Sequence, residues 1–221
     1  MSKLKVHVEG NDTTYQKMFE NNGWEIAYNV KDADLVQFVG GADVSPDLYG
    51  EEKHPSVYCD KHTDQYSLDI YEHAAYNNIP MVGICRGSQF LCVMGGGKLW
   101  QDVNGHATGQ GHSLMDIESG IVIEDCSSTH HQQHRPADNA IIIATAFPRL
   151  CTKIENFVDG KKYVTVDMDV LNWDETDVEV FYYPHINALG FQPHPEFFNP
   201  EHTCQKYYFD LIAKYLKLRS K

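Results

Sequence analysis

Positive charge is scarce in this sequence of 221 residues: 18 Lys and Arg face 31 Asp and Glu, a formal charge of −13 with histidine neutral. That balance disfavours nucleic acid or an anionic membrane as partner, since either would be repelled at long range. Long apolar runs are also missing. The longest, Ala140 to Phe147, is far short of the roughly 20 residues a membrane-crossing helix needs. The six cysteines (59, 85, 92, 126, 151 and 204) form no CxxC pair and no dense framework, so reduced thiols and a cytoplasmic setting are expected. The first residues run straight into a strand-like pattern without the apolar core of an export signal. Repeats, low-complexity tracts and dividing linkers are lacking too, which predicts a single domain over 1–221. What is present, 42% hydrophobic and 12% aromatic residues, suffices for a full core and argues against disorder.

Periodicity then orders the chain. Leu4 to Val8 alternates as a strand, and Thr13 to Asn21 follows as a helix ended by Gly23. Asp34 to Val39 is a short apolar run stopped by Gly40-Gly41, and a long loop (Ala42 to Lys61) leads to a helical pattern over Asp64 to Asn78. Pro80 opens the strand Met81 to Ile84. This succession predicts βαβ connections and a parallel sheet covered by helices. The second half reads differently. Two or three short strands are expected within Gly109 to Val158, Ala140 to Ala146 being the clearest; Lys162 to Val180 is a hairpin or loop-rich stretch; Asn187 to Phe191 is a strand. A closing helix is predicted over Pro200 to Leu218, with Tyr207, Tyr208, Leu211, Ile212, Tyr215 and Leu216 on one face.

The sharpest local signal is Ile79-Pro-Met-Val-Gly-Ile-Cys85-Arg-Gly-Ser-Gln, where an apolar strand meets Gly-x-Cys-x-Gly and a helix follows at once. This is a nucleophile elbow with cysteine in the serine position. The sharp turn holds Cys85 in a strained conformation, and Gly83 and Gly87 remove side chains that would collide there. At the helix N-terminus, unpaired amides and the helix dipole favour thiolate over thiol, and the Arg86 amide can help hold an oxyanion. Among twelve histidines, His194 stands out in Gln192-Pro-His194-Pro-Glu196. Prolines on both sides predict an extended segment, which puts His194 and Glu196 on one side and lets the carboxylate orient the imidazole.

The pair GICRGSQ and QPHPEF resembles the class I glutamine amidotransferases, and within them most closely the peptidase C26 or γ-glutamyl-γ-aminobutyrate hydrolase branch. Further blocks resemble that branch in order: residues 40–52 (GGADVSPDLYGEE), 79–103 and 127–132 (SSTHHQ), and the stretch from Glu179 through Phe197. The resemblance implies a three-layer flavodoxin-like fold, with a mostly parallel central sheet between helices and a small additional β element. It implies Cys85 as nucleophile, His194 as general base and acid, and Glu196 as orienting carboxylate. The amides of Gly41 and Arg86 would form the oxyanion hole, with Gly40, Gln89, His130, His131 and Gln132 around the glutamyl group. The chain departs from the branch at Ser127-Ser128, where Asn-Ser is common, and at Thr63-Asp64, where Arg-Asp is common; both leave the leaving amine open.

The implied reaction is hydrolysis of a γ-glutamyl amide, either glutamine or a γ-glutamyl-linked amine or nucleotide conjugate, without a cofactor. Supplying ammonia to a separate synthetase stays open as an alternative. So does a non-catalytic member that binds a metabolite or partner, although the complete Cys-His-Glu set argues against it. No room is expected for a fused synthetase, and a homodimer is compatible. His106, His112, His130, His131 and His134 raise the question of zinc, but no Cys or carboxylate at ligand spacing completes a tetrahedral set, so no metal is expected. Because a glutamyl substrate is itself anionic, Arg86, Lys98 or Arg135 is a candidate to offset the excess acid.

Overall fold

The alternation at the N-terminus becomes strand β1 (Lys5–Val8), and the helical pattern after it becomes α1 (Thr13–Asn21). Asp12 starts α1 by accepting the Thr14 amide at 2.8 Å, as an N-cap aspartate does. The computed structural model describes residues 3–158, 161–165 and 177–218. Strands β2 (Glu25–Ile26) and β3 (Leu35–Phe38), helix α2 (Lys61–Tyr76), strand β4 (Met81–Ile84) and helix α3 (Arg86–Met94) complete the first half. The second half holds β5 (Lys98–Trp100), β6 (Asp102–Val103), β7 (His112–Asp116), β8 (Val122–Cys126), β9 (Gln133–Arg135), β10 (Ile141–Phe147), β11 (Ile154–Val158) and β12 (Lys161–Thr165). Then come β13 (Val178–Tyr183), β14 (Ala188–Phe191) and α4 (Thr203–Tyr215).

Among the described residues the main sheet has nine strands in the order β2-β1-β3-β4-β14-β13-β10-β7-β8. From β2 to β14 neighbours run parallel, and from β14 to β8 they run antiparallel. The central strands are buried throughout, with Met81, Val82 and Ile84 all at 0% exposure, because helices cover both faces. Val82 and Ile84 pack with Tyr15, Phe19, Tyr208 and Leu211 of α1 and α4, while Met81 packs with Ile70, Ala74, Phe90 and Leu91 of α2 and α3. These are the three layers that the resemblance implies. The additional β element comprises β12-β11-β6 and the pair β5-β9.

Three expectations need adjusting. The stretch 109–158 holds five strands rather than two or three. In β7 the buried positions are His112, Leu114 and Asp116, so a polar inner face hides the alternation that apolar periodicity would find. Lys161–Thr165 pairs antiparallel with β11 as a hairpin, whereas the rest of the expected loop up to 176 lies outside the described residues. The last helix starts at Thr203, where His202 accepts the Cys204 amide at 3.3 Å.

Everything at the site hangs on how closely α3 approaches β4. A Cβ on Gly83 would lie 2.3 Å from the Gly87 carbonyl, and one on Gly87 would lie 2.4 Å from the Phe38 carbonyl oxygen. Backbone cannot yield as a flexible side chain can, so the helix start and two strand ends touch only because both residues lack side chains. Gly83→Ala is expected to destabilise the fold by about 2 kcal/mol or more, read as a lower denaturation midpoint in urea at unchanged slope.

Candidate active site

Cys85 takes φ 51° and ψ −112°, a region that L-residues other than glycine rarely occupy and that costs on the order of 1–3 kcal/mol. Its amide is held by the Phe191 carbonyl at 3.0 Å. The residue is also the N-cap of α3, yet its side chain makes no capping bond. Aspartates cap α1 and α2; at α3 no side chain does, and the first-turn amides have no side-chain cap.

His194 follows the carboxyl end of β14 and faces the Cys85 thiol. Its amide donates to Ser127 Oγ at 2.7 Å, and its Nδ1 is 2.5 Å from Glu196 Oε1. The segment is not extended as predicted: Pro195–Phe197 forms a 3₁₀ turn, with proline in its first turn. Proline's fixed φ suits a helical first position, and the turn still returns Glu196 to the imidazole. Burial pulls the His194 pKa down, but hydrogen bonds with Cys85 and Glu196 outweigh it and raise the pKa to about 10. Phe197 stacks flat on the imidazole, centroids 4.5 Å apart and planes 3° apart.

Tyr15 escaped the sequence reading. Its hydroxyl accepts the Gly40 amide at 2.9 Å and lies beside Glu196; burial first, and that carboxylate second, push its pKa far up. A Cβ on Gly40 would come within 2.9 Å of His194 Cε1, so the Gly40-Gly41 loop borders the imidazole. Tyr15 thereby occupies the Gly40 amide.

The remaining expected residues divide. Gln89 is brought to Gln132 and Gln192, its Nε2 lying 3.2 Å from the Gln132 carbonyl and 3.3 Å from Gln192 Oε1. Both side-chain polar atoms of buried Gln132, and Nε2 of Gln192, lack hydrogen-bond partners among the described residues. His131 instead bridges Asp43 (3.1 Å) and Asp102 (3.2 Å), which raise its pKa. His130 turns inward towards Glu179, and burial lowers its pKa to about 3. His134 is fixed between Ser88 and the Val178 carbonyl, 2.7 Å from each.

Of the three basic candidates, none stands free at the nucleophile. The Arg86 guanidinium is 2% exposed and pairs with Asp64 Oδ1 at 2.7 Å, with Ser67 Oγ also at 2.7 Å and Glu9 at 3.9 Å. Lys98 and Arg135 both pair with Glu51, at 3.2 and 3.1 Å. The Arg86 side chain thus anchors the start of α3 to α2.

A family model for peptidase C26 matches residues 18–196. The chain belongs to the peptidase C26 family. Among its relatives, the glutamine amidotransferase-like protein YvdE homolog of Lactococcus lactis subsp. cremoris is 43% identical over 72 residues, 32% of this chain and 38% of that protein. NtpR of Enterococcus hirae is 37% identical over 71 residues, 32% of this chain and 30% of that protein. The matched stretch spans about a third of each relative. PurLQS from Thermotoga maritima superposes with a TM-score of 0.64 at 19% identity, covering 98% of this chain and 100% of that one. A glutamine amidotransferase from the same organism gives 0.59 at 16% identity, covering 97% and 86%. These likenesses show the fold, that of the class I glutamine amidotransferases. No described helix is long and apolar enough to cross a membrane.

Two outcomes are expected. Asp64→Ala leaves Arg86 buried without its closest carboxylate and should cost about 3–5 kcal/mol, measured by chemical denaturation. NMR titration should find the His194 midpoint near 10, falling below the ordinary value in Cys85→Ala/Glu196→Gln, where burial alone remains. Because the folded pKa lies above the unfolded one, the stability tied to this proton is complete below about pH 6.5 and fades as pH rises through about 10.

Proposed function

We propose that this protein hydrolyses γ-glutamyl amides through a thioester on Cys85, releasing glutamate and an amine. The observation that carries the reading is a cysteine at positive φ on an uncapped helix N-terminus, facing an imidazole whose far nitrogen is held 2.5 Å from Glu196. That is a nucleophile, its base and the group that orients the base.

The His194–Glu196 pair takes the thiol proton, and the Cys85 thiolate attacks the γ-carbonyl carbon. Charge then gathers on the carbonyl oxygen, within reach of the Arg86 amide and the Gly41 loop. As the C–N bond breaks, His194 passes its proton to the departing nitrogen, leaving a γ-glutamyl thioester. Water, losing a proton to His194, attacks the thioester; the C–S bond breaks, glutamate leaves and the thiol is restored. The Gln132 side-chain amide and Gln192 Nε2, which have no partner among the described residues, are the groups assigned to the glutamyl end. With Arg86, Lys98 and Arg135 all engaged by carboxylates, neutral amide dipoles are the better supported means of holding it.

The decisive assay follows glutamate release from glutamine and from a panel of γ-glutamyl amines. Cys85→Ala should lower kcat by about 10³-fold or more, and Gln132→Ala should mainly raise KM, by about tenfold. Glutamate release by Cys85→Ala at the wild-type rate would remove the assignment. Stimulation of glutamine turnover by an added synthetase would redirect the product ammonia without altering the chemistry.

A further inference from the structure

We propose that a cluster behind the 127–132 segment binds a divalent metal ion of the zinc class, with His106, His130 and Glu179 as ligands. The sequence reading set a metal aside because no carboxylate stood at ligand spacing. The fold supplies one from β13. One nitrogen each of His106 and His130 and a carboxylate oxygen of Glu179 lie within 4.8 Å of one another. His106 Nδ1 is 3.5 Å and His130 Nε2 3.7 Å from Glu179 Oε1, while His112 Nε2 is 3.5 Å from Oε2. Bonds of about 2.0–2.1 Å at tetrahedral angles put ligand atoms about 3.3 Å apart, close to the spacing of both histidines from Glu179, with the fourth position left to a non-protein donor.

The outer bonds of the rings fix where their lone pairs point. His106 Nε2 lies 3.0 Å from Asp177 Oδ1, and His130 Nδ1 lies 2.9 Å from the Gln132 carbonyl. Carboxylate and carbonyl only accept, so these nitrogens carry the protons, and in the neutral rings that a metal requires the inner nitrogens present lone pairs to Glu179. This is the arrangement in which outer-shell acceptors orient metal-binding histidines. Inside, partners are missing. His130 Nε2, Glu179 Oε2 and both nitrogens of His112 have no hydrogen-bond partner among the described residues, although all three side chains are at most 4% exposed. Glu179 Oε1 accepts from Gln133 at 3.1 Å. Ser128 Oγ lies 3.5 Å from His106 Nδ1 but donates its proton to the His106 carbonyl at 2.5 Å. Converging buried lone pairs are costly unless a cation sits among them.

The position gives the ion a structural task. His130 belongs to the segment 127–132, in which Ser127 accepts the His194 amide and Gln132 contacts Gln89. Glu179 lies beside Gln192, accepting its amide at 2.8 Å through the backbone carbonyl. An ion here would fasten the 127–132 segment to the sheet.

The test titrates chelator-stripped full-length protein with Co²⁺, whose visible absorption reports tetrahedral coordination. One equivalent is expected, displaced by Zn²⁺ and accompanied by a rise in Tm. It should be lost in Glu179→Gln and His130→Ala and kept in His62→Ala, which alters an exposed histidine. No stoichiometric binding, or binding that Glu179→Gln leaves unchanged, would overturn the site. If either cluster variant fails to fold, zinc-edge X-ray absorption of the loaded wild type decides. Two or more imidazoles in the first shell support the proposal, and fewer refute it.

Discussion

The Arg86 guanidinium, sealed under the active site, is the interaction from which the catalytic end is built. It pairs with Asp64 and Ser67 of α2. Ser67 donates in turn to Glu9, at 2.5 Å, and Glu9 accepts the Val39 amide at 3.0 Å. Asp64 accepts the Ser45 amide at 3.2 Å. One buried cation thereby ties together the ends of β1 and β3, the glycine loop, α2 and the first turn of α3. Such a network is expensive to assemble out of water, and each carboxylate oxygen of Glu9 and Asp64 is met by a donor.

On that base rests a second constraint, the backbone contact between α3 and the strands beneath it. Gly83 and Gly87 permit the contact, and the contact forces Cys85 to positive φ. The strain is therefore imposed by surroundings that over-determine it. Tyr15 then joins the glycine loop to the base, since its hydroxyl holds the Gly40 amide and lies beside Glu196. Gly40, Tyr15, His194 and Glu196 come from separate segments of the chain, and short polar contacts join Gly40 to Tyr15 and His194 to Glu196.

Much of this was legible in the sequence, for reasons that differ by segment. The elbow could be read because strand, cysteine, glycines and helix are contiguous, and the His-Pro-Glu unit because its members are two residues apart. The unit was found for the wrong geometric reason, extended chain where the protein makes a 3₁₀ turn. Tyr15 was hidden because it reaches the site only through tertiary contacts, and nothing local marks a tyrosine on α1 as a partner of Gly40. The histidine loop misled in another way. His130 and His131 are neighbours, yet they face opposite environments: one meets buried Glu179 on a distant strand, the other bridges two aspartates nearer the surface. Strand β7 was not placed within 109–158 because its inward residues include His112 and Asp116, whose polarity masks burial.

The rims of the main sheet carry a further consequence. Strand β2 is only two residues long. At the other rim β8 presents exposed Glu124 and Asp125, and Asp125 has φ 56°. Thr203 at the start of α4 donates to the Glu124 carbonyl at 3.2 Å, occupying an acceptor that an added strand would need. A truncated rim on one side and a charged, bent and partly covered rim on the other are poor templates for strand addition. The excess of negative charge repels a second copy as well, so association by edge pairing, including the ordered stacking that leads to fibrils, is disfavoured for this nine-stranded sheet.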